Sequence, residues 1–463
     1  MCALRIQEVS HDQNDAIDSP YPLDNSPPSS VASSPLSSPP SSRPSSSTPA
    51  IRSYTPPFPE KLHKPTRRGK KAGKKVTSTH APTTHAPESV TIPSKRKKHS
   101  HDNRGKNRNR SRDPTEYRTR RATLSRVLQE AVPLPIEEDT LVFVEDSSGY
   151  IRKDACDGSR ATYSLDDVLA MGFDLFEFQW DASFSTPIVD SGDRVFGTLV
   201  ENPPDDPDWQ TTQQEAADML EATRDRLDIP DEQKDNRRGD FWAASYGESM
   251  GGGQKYPKHL EQAPSNVPIL EDLVSLPIFQ RLAGWASSAF STWAPKLYNK
   301  YSETMANLRR HNPPFRFNWS TSIFAAATFN FGPQTVTCIH QDYLNYVFGW
   351  CAVTALGNYD YRRGGHLILW DLRLVIEFPP GATILIPSAY LRHSNTTIGC
   401  GERRYSFTQY TAGGIFRYVE DGFRTRASMP KWERKKKEKA ARDEVPAGMN
   451  LYSTLDELRA ASM

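Results

Sequence analysis

The sequence predicts an α+β protein: a double-stranded β-helix (a double-sheet jelly roll) with an α/β N-terminal extension and disordered basic arms. Three observations predict it. From Phe315 onward, eight short strand-like runs recur at even spacing, punctuated by Gly332-Pro333, Gly364-Gly365, Pro379-Pro380-Gly381 and Gly399-Cys400-Gly401. Many short, evenly spaced strands read as two packed sheets. Upstream, 268–310 carries apolar stripes at helical spacing, among them Ile278, Leu282, Trp285 and Phe290. At the other end, residues 1–60 hold 15 Ser and 12 Pro, too little apolar surface to offset chain entropy.

These features divide the chain into four regions: a disordered Ser/Pro-rich and basic segment (1–115), an α/β extension (116–265), a core domain with supporting helices (266–423) and a basic C-terminal tail (424–463). Order begins near Pro114. A helix is expected over Glu116–Glu130, a strand over Thr140–Val144, a helix over Leu165–Met171 and an extended run over Phe173–Trp180. Ile188-Val189 and Val195–Val200 flank Asp190-Ser191-Gly192-Asp193, a hairpin signal. The cluster Asn202–Pro207 stops that strand, and Asp208 can cap a helix over Trp209–Leu227. Residues 230–265 are polar and Gly-rich. Their Gly251-Gly252-Gly253-Gln254 lacks the Lys-Ser/Thr of a phosphate loop and reads as a surface loop. The eight strands are expected at Ala326–Phe331, Val336–Asp342, Asn345–Ala355, His366–Trp370, Leu374–Phe378, Ala382–Ile386, Arg392–Ile398 and Arg404–Thr411.

The net charge of +2 hides a segregation. Residues 61–112 carry 17 Lys/Arg against two acids, and residues 424–442 carry nine against two. The body between, 113–423, holds 28 basic and 42 acidic residues. An acidic globule with two basic arms suits nuclear import or contact with a phosphate backbone. DNA or RNA is therefore a partner to consider, unless the arms only solubilise. Nuclear location is the first expectation and cytoplasmic the second. Five cysteines without Cys-x-x-Cys spacing argue against a zinc module or disulfide framework. No signal-peptide pattern and no long apolar run are present, so a soluble intracellular protein without a membrane partner is expected.

The chemistry concentrates in Thr337-Cys338-Ile339-His340-Gln341-Asp342 and in Leu391-Arg392-His393. Alternation along a strand points His340 and Asp342 the same way. A histidine from a neighbouring strand completes a two-histidine, one-carboxylate face, the donor set of non-haem Fe(II) with open positions for a co-substrate and O2. A lone His-x-Asp is weak, since chance gives about 0.6 such pairs in a chain of this histidine content at average composition. The ensemble is specific. His393 follows a Pro-Gly turn, an aliphatic strand and Pro387-Ser388, and Arg404-Tyr405-Ser406 comes 11 residues later. Alternation puts Arg404, Ser406, Thr408 and Tyr410 on one strand face, where an arginine can hold a carboxylate in a two-point pair. His366 is the competing metal ligand and Arg403 the competing arginine. Arg404 could instead pair with Glu402 or Asp360, and His340 could be a satisfied core histidine.

At these residues the chain resembles the Fe(II)/2-oxoglutarate-dependent dioxygenase superfamily. The run Pro379–Ser388, His393 and Arg404-Tyr405-Ser406 is similar to the C-terminal half of its jelly roll. His340-Gln341-Asp342-Tyr343-Leu344-Asn345 resembles the His-x-Asp-x-x-Asn of the TET/JBP group, which oxidises methyl groups of DNA pyrimidines. The body, including Pro203–Trp209 and Gly364–Leu369, resembles a large fungal family with this oxygenase domain. The resemblance implies Fe(II) held by His340, Asp342 and His393, and the co-substrates 2-oxoglutarate and O2, the former held by Arg404 with Ser406. It implies oxidation of a substrate with release of succinate and CO2, and Asn345 as a contact to a flipped base. Tyr343 and Tyr346 are the nearest further candidates for substrate contact. The chain lacks the cysteine-rich zinc-binding region of animal TET proteins, as JBP-like members do.

Three functions compete. One is a nuclear enzyme oxidising a methylated nucleobase in DNA or RNA, which requires base flipping. Another is a dioxygenase acting on a protein side chain, as in prolyl hydroxylation. The third is a non-catalytic nuclear binding module that keeps the fold. The acidic body repels phosphate unless the cleft is locally basic, for which Arg362-Arg363, Arg309-Arg310 and Arg316 are candidates.

Overall fold

The computed structural model describes residues 113–139, 147–156, 158–177, 183–204 and 206–463. The expected strand at Thr140–Val144, the Ser/Pro-rich stretch and the basic segment 61–112 lie outside them.

In chain order the N-terminal part forms α1 (Arg121–Glu130), β1 (Leu134–Pro135), α2 (Leu165–Ala170), β2 (Asp174–Phe176), β3 (Thr186–Val189), β4 (Val195–Val200) and α3 (Trp209–Arg224). Two short hairpins follow, β5 (Asp235–Asn236) with β6 (Gly239–Asp240), then β7 (Ala243–Ser249) with β8 (Lys258–His259). Helices α4 (Val267–Ser275), α5 (Pro277–Trp293) and α6 (Pro295–His311) precede β9 (Ala326–Asn330), β10 (Cys351–Asn358), β11 (Leu367–Leu369), β12 (Leu374–Ile376), β13 (Thr383–Ile386), β14 (His393–Asn395) and β15 (Arg403–Tyr410). Prolines at the starts of α4, α5 and α6 explain why this apolar stretch breaks into three: each supplies a helix-ready φ and lacks the N–H that a first turn leaves unpaired. Ser164 caps α2 reciprocally with Asp167, whereas Asp208 precedes α3 without a side-chain cap.

Two sheets hold the site. The larger has nine strands in the order β1-β3-β4-β13-β10-β15-β9-β7-β8, and the smaller has four, β14-β11-β12-β2. The N-terminal strands are therefore built into both sheets: β4 pairs with β13, β7 with β9, and β2 with β12. The unbroken register of β15 with β10 and β9 fixes what each face carries. One face presents Tyr405, Phe407, Phe329 and Leu356, packed under Leu270, Phe279 and Leu282 of α4 and α5. The Phe279 ring meets Phe329 and Phe407 edge-on at 5.1 and 5.4 Å, contacts of about 1 kcal/mol each beyond their area. The opposite face carries Thr328, Asn330, Arg404, Ser406 and Thr408, all buried. A buried polar floor on a strand otherwise free to be apolar marks the functional side of the sheet. The small sheet contributes Leu367, Leu369, Leu374 and Ile376 to the same core as Ile384 and Ile386, and turns Ile368 and Val375 outward under Val168 and Phe173.

One expected strand is absent as such. Val336–Asp342 forms no continuous strand and makes single bridges, Thr337 to Gly239 and His340 to His393. The expected Asn345–Ala355 strand starts later, at Cys351, because turns occupy Tyr343-Leu344 and Val347-Phe348. The segment 424–463 is not a free arm. It folds into α8 (Lys431–Asp443), α9 (Val445–Gly448) and α10 (Leu455–Ser462), following α7 (Gly413–Glu420). Val445, Met449, Tyr452, Leu455 and Leu458 recur every three or four residues and are buried in the main core. The Lys/Arg excess of 424–442 hid that apolar period downstream.

Candidate metal centre

His340 and His393 face each other across an antiparallel bridge, each backbone N–H donating to the other's carbonyl at 3.1 and 2.9 Å. That pairing sets the rings 4.2 Å apart between centroids. The Nδ1 of His340 lies 2.9 Å from the Cys338 carbonyl, and the Nδ1 of His393 lies 2.8 Å from the Leu391 carbonyl. A carbonyl only accepts, so both Nδ1 atoms carry the proton and both Nε2 atoms present a lone pair. Asp342 completes the group. Its backbone N–H donates to the Ser388 carbonyl at 2.9 Å, and its Oδ2 lies 3.9 Å from His393 Nε2. One donor atom from each of the three residues lies within 4.8 Å of the other two. At 3.9 Å the Asp342–His393 contact is too long for a hydrogen bond, so three lone-pair donors converge without satisfying one another.

Burial and the neighbouring His393 push the His340 pKa well below its ordinary value, which keeps the imidazole neutral. Burial alone would raise the Asp342 carboxyl, but the two imidazoles and the Arg238 and Arg237 guanidiniums bring it down to about 2. Two imidazoles whose Nε2 atoms are turned toward a carboxylate fit a divalent transition metal in ligand type.

Arg404 sits on β15, only 3% exposed. Its Nη1 donates to the Thr335 carbonyl at 3.0 Å, its guanidinium lies 5.9 Å from the Tyr359 ring, and its Nε has no partner. No carboxylate among the described residues pairs with it. Glu402 accepts from the backbone of Asp360 and Gly399 instead, and Arg403 turns out of the core to pair with Glu221. Beside Arg404 lies His366, fully buried, whose Nδ1 meets Thr396 Oγ1 at 3.0 Å and whose Nε2 is also unpartnered. Burial and the Arg404 charge lower its pKa to about 4. His366 does not join the metal group. Ser406 receives a bond from Asn330 Nδ2 at 2.7 Å, leaving Asn330 Oδ1 without a partner. The Thr335 carbonyl ties this region to the metal strand: it also accepts from Asn395 Nδ2 at 3.3 Å, and Asn395 shares the β14 face of His393. A buried cation with orphaned polar atoms around it and no acid of its own has the chemistry to receive a small anion.

The remaining predicted residues lie at the rim. Asn345 is half-buried, and its Nδ2 donates to Ser388 Oγ at 3.4 Å. Tyr343 is half-buried beneath the Arg237 guanidinium, 5.4 Å from the ring centroid. Tyr346 is a core residue instead, stacked on Phe416 at 3.9 Å. Of the five arginines expected to line the cleft, two are engaged elsewhere, Arg309 with Asp113 and Arg316 with the Pro313 carbonyl.

Arg237 escaped the sequence reading. It donates to the Gln341 carbonyl at 2.9 Å and reaches 3.9 Å from Asp342 Oδ1, yet stays 43% exposed. It sits in the turn between β5 and β6, which is held by Cys338 N–H donating to the Arg238 carbonyl at 2.8 Å. A polar, Gly-rich stretch offers no period from which that docking could be read. Asn395, by contrast, had a signal in its i, i+2 relation to His393.

No protein-family model and no curated protein matches the chain. Among solved structures, NgTET1 in complex with 5mC DNA aligns at a TM-score of 0.37 and 10% identity over 64% of this chain and 92% of that one. An oxidoreductase of the 2OG-Fe(II) oxygenase family from Burkholderia pseudomallei aligns at 0.26 and 16% over 46% of this chain and 92% of that one. Both scores are too low to assign a fold or a reaction, so the site geometry stands by itself.

Proposed function

We propose that this chain is an Fe(II)- and 2-oxoglutarate-dependent oxygenase built on a jelly roll. The observation that carries the reading is the pairing of two features in one interior: a three-donor face with both Nε2 lone pairs free, and a buried arginine without an acid. His340, Asp342 and His393 would hold the metal. Bound Fe(II) supplies activation of O2 coupled to decarboxylation of 2-oxoglutarate. Arg404 would take the distal carboxylate of 2-oxoglutarate as a charge-assisted pair, with Nε free to donate, and Ser406 would line the same floor. The Cys338 and Leu391 carbonyls hold the two imidazoles in register and in the metal-binding tautomer.

The substrate proposed is a methylated nucleobase in DNA or RNA. Asn345 and Tyr343, part-exposed beside Asp342, present an amide and an aromatic face suited to a base lifted out of its stack. Arg237, exposed at the same rim, offers a cation for the adjoining phosphate. Nuclear location belongs to the same proposal. No helix among the described residues is long and apolar enough to cross a membrane.

The test is succinate release with Fe(II) and 2-oxoglutarate, run with methylated DNA and RNA oligonucleotides and followed by mass spectrometry of the nucleosides. Succinate formation with a mass gain of one oxygen on the methylated base is expected. Turnover only with peptide would replace the nucleobase with a protein side chain. No iron-dependent turnover with any of these would leave a binding module.

A further inference from the structure

Helix α8 (Lys431–Asp443) buries none of its residues, yet its two sides differ. Glu433, Arg434, Lys437, Glu438 and Ala441 form the half-buried side. Every charge there is matched: Arg424 takes Glu433, Arg434 lies 3.8 Å from Glu438, and Lys437 lies 3.2 Å from Asp421. The outward side carries Lys431, Lys435, Lys436, Lys439 and Arg442, none of them ion-paired among the described residues, against one acid, Asp443 at the helix end, together with Trp432, which is 69% exposed. Five unpaired cations on one helix face concentrate potential that an otherwise acidic body does not supply.

We propose that this face of α8 docks the phosphodiester backbone of a nucleic acid, with Trp432 stacking on a base. From Lys431 to Arg442 the stripe runs about 16 Å along the axis, with a cation at nearly every turn. That length faces several phosphates of a single strand or duplex. An exposed indole adds a stacking platform that accepts any base. A membrane surface fits less well, because the outward face has one aromatic and no apolar side to sink below headgroups. The helix is also near the metal centre. Ala441 packs directly on the Gly149 backbone, and three residues on, Arg152 N–H donates to the Tyr343 carbonyl at 2.8 Å. Three residues span at most about 11 Å, so the inner side of α8 is tied through this segment to the backbone of Tyr343. Delivery of a base to that rim rests on the oxygenase reading; docking does not.

The test uses the full chain, so that any binding by residues 61–112 is common to all proteins compared. Lys431→Gln/Lys435→Gln/Lys439→Gln and Trp432→Ala are titrated against a fluorescein-labelled 20-base strand and its duplex at several salt concentrations. Phosphatidylserine vesicles and polyglutamate serve as other polyanions. In the triple variant the slope of log K against log salt should fall by about 2 to 3. Trp432→Ala should weaken single-strand binding about tenfold with the slope unchanged. His340→Ala should bind like the parent, which separates failure of docking from failure of the iron reading. An unchanged slope in the triple variant overturns the proposal, as does equal binding of vesicles or polyglutamate.

Discussion

Replacing Arg404 by Met separates a receptor for 2-oxoglutarate from a structural arginine. In the free protein two terms oppose. The bond to the Thr335 carbonyl at 3.0 Å is lost, a charge-assisted bond of about 1.5–3 kcal/mol. The unpartnered buried Nε is removed as well, which relieves a desolvation cost of about 1–3 kcal/mol. The net change should stay within about 1 kcal/mol. Were Arg404 the partner of a buried acid, breaking that pair would cost about 3–5 kcal/mol. Ligand response is the second readout. At a hundred times its Kd, 2-oxoglutarate stabilises the parent by about 2.7 kcal/mol. Losing one partner of a buried charge pair weakens binding by about 2–5 kcal/mol, so the same concentration stabilises the variant by less than about 1 kcal/mol. The assay is thermal unfolding with anaerobic Fe(II), with and without 2-oxoglutarate. A loss of several kcal/mol in the free protein, or an undiminished 2-oxoglutarate shift, would refute the reasoning. Arg403→Met is the control: its exposed pair with Glu221 is worth about 1 kcal/mol or less, and its ligand response should match the parent.

Further outcomes are expected elsewhere. His340→Ala and Asp342→Ala should each abolish stoichiometric iron in metal analysis, whereas His366→Gln should retain it. The pKa of His366 falls from 6.5 to about 4 on folding, so the unfolded chain binds the extra proton between those values. Stability should therefore fall as pH drops through that window, by about 3 kcal/mol for this group; denaturant titrations of the parent and His366→Gln at pH 7 and pH 4 would show a smaller loss in the variant. Arg237→Gln should raise the KM for an oligonucleotide substrate about tenfold or more while leaving iron content and the KM for 2-oxoglutarate unchanged. An equal change in all three would make Arg237 a support of Asp342 instead. Asn345→Ala should lower turnover on the methylated base but preserve the iron content.

Local chemistry was legible wherever one strand or helix period carried it. The order His340, Asp342, His393, Arg404 could be read from residue types and spacing, and the Pro379–Gly381 and Gly364-Gly365 turns punctuate the chain without reference to partners; the strand expected to carry His340 and Asp342 is not formed, and single bridges to Gly239 and His393 hold that segment instead. The helical character of 268–310 was equally local, carried by its apolar stripes, while its division into three at the prolines is seen in the structure. What failed to read was what depends on a distant surface. Tyr343, Asn345 and Tyr346 look alike as polar or aromatic neighbours of the motif, yet Phe416, 70 residues on, takes Tyr346 into the core. Arg237 gains meaning only because the β5–β6 hairpin packs against Cys338.

The sequence by itself determined which donors exist and in what order they meet, because alternation and turn chemistry act over a few residues. Only the tertiary structure shows which of the two adjacent arginines has an acid of its own. Arg403 and Arg404 point to opposite faces of β15, and it is the packing of α3 on one face and the buried floor on the other that gives Arg403 the Glu221 carboxylate and leaves Arg404 without one. A charge acquires its role from the dielectric and the partners around it, and those come from elements far away in the chain.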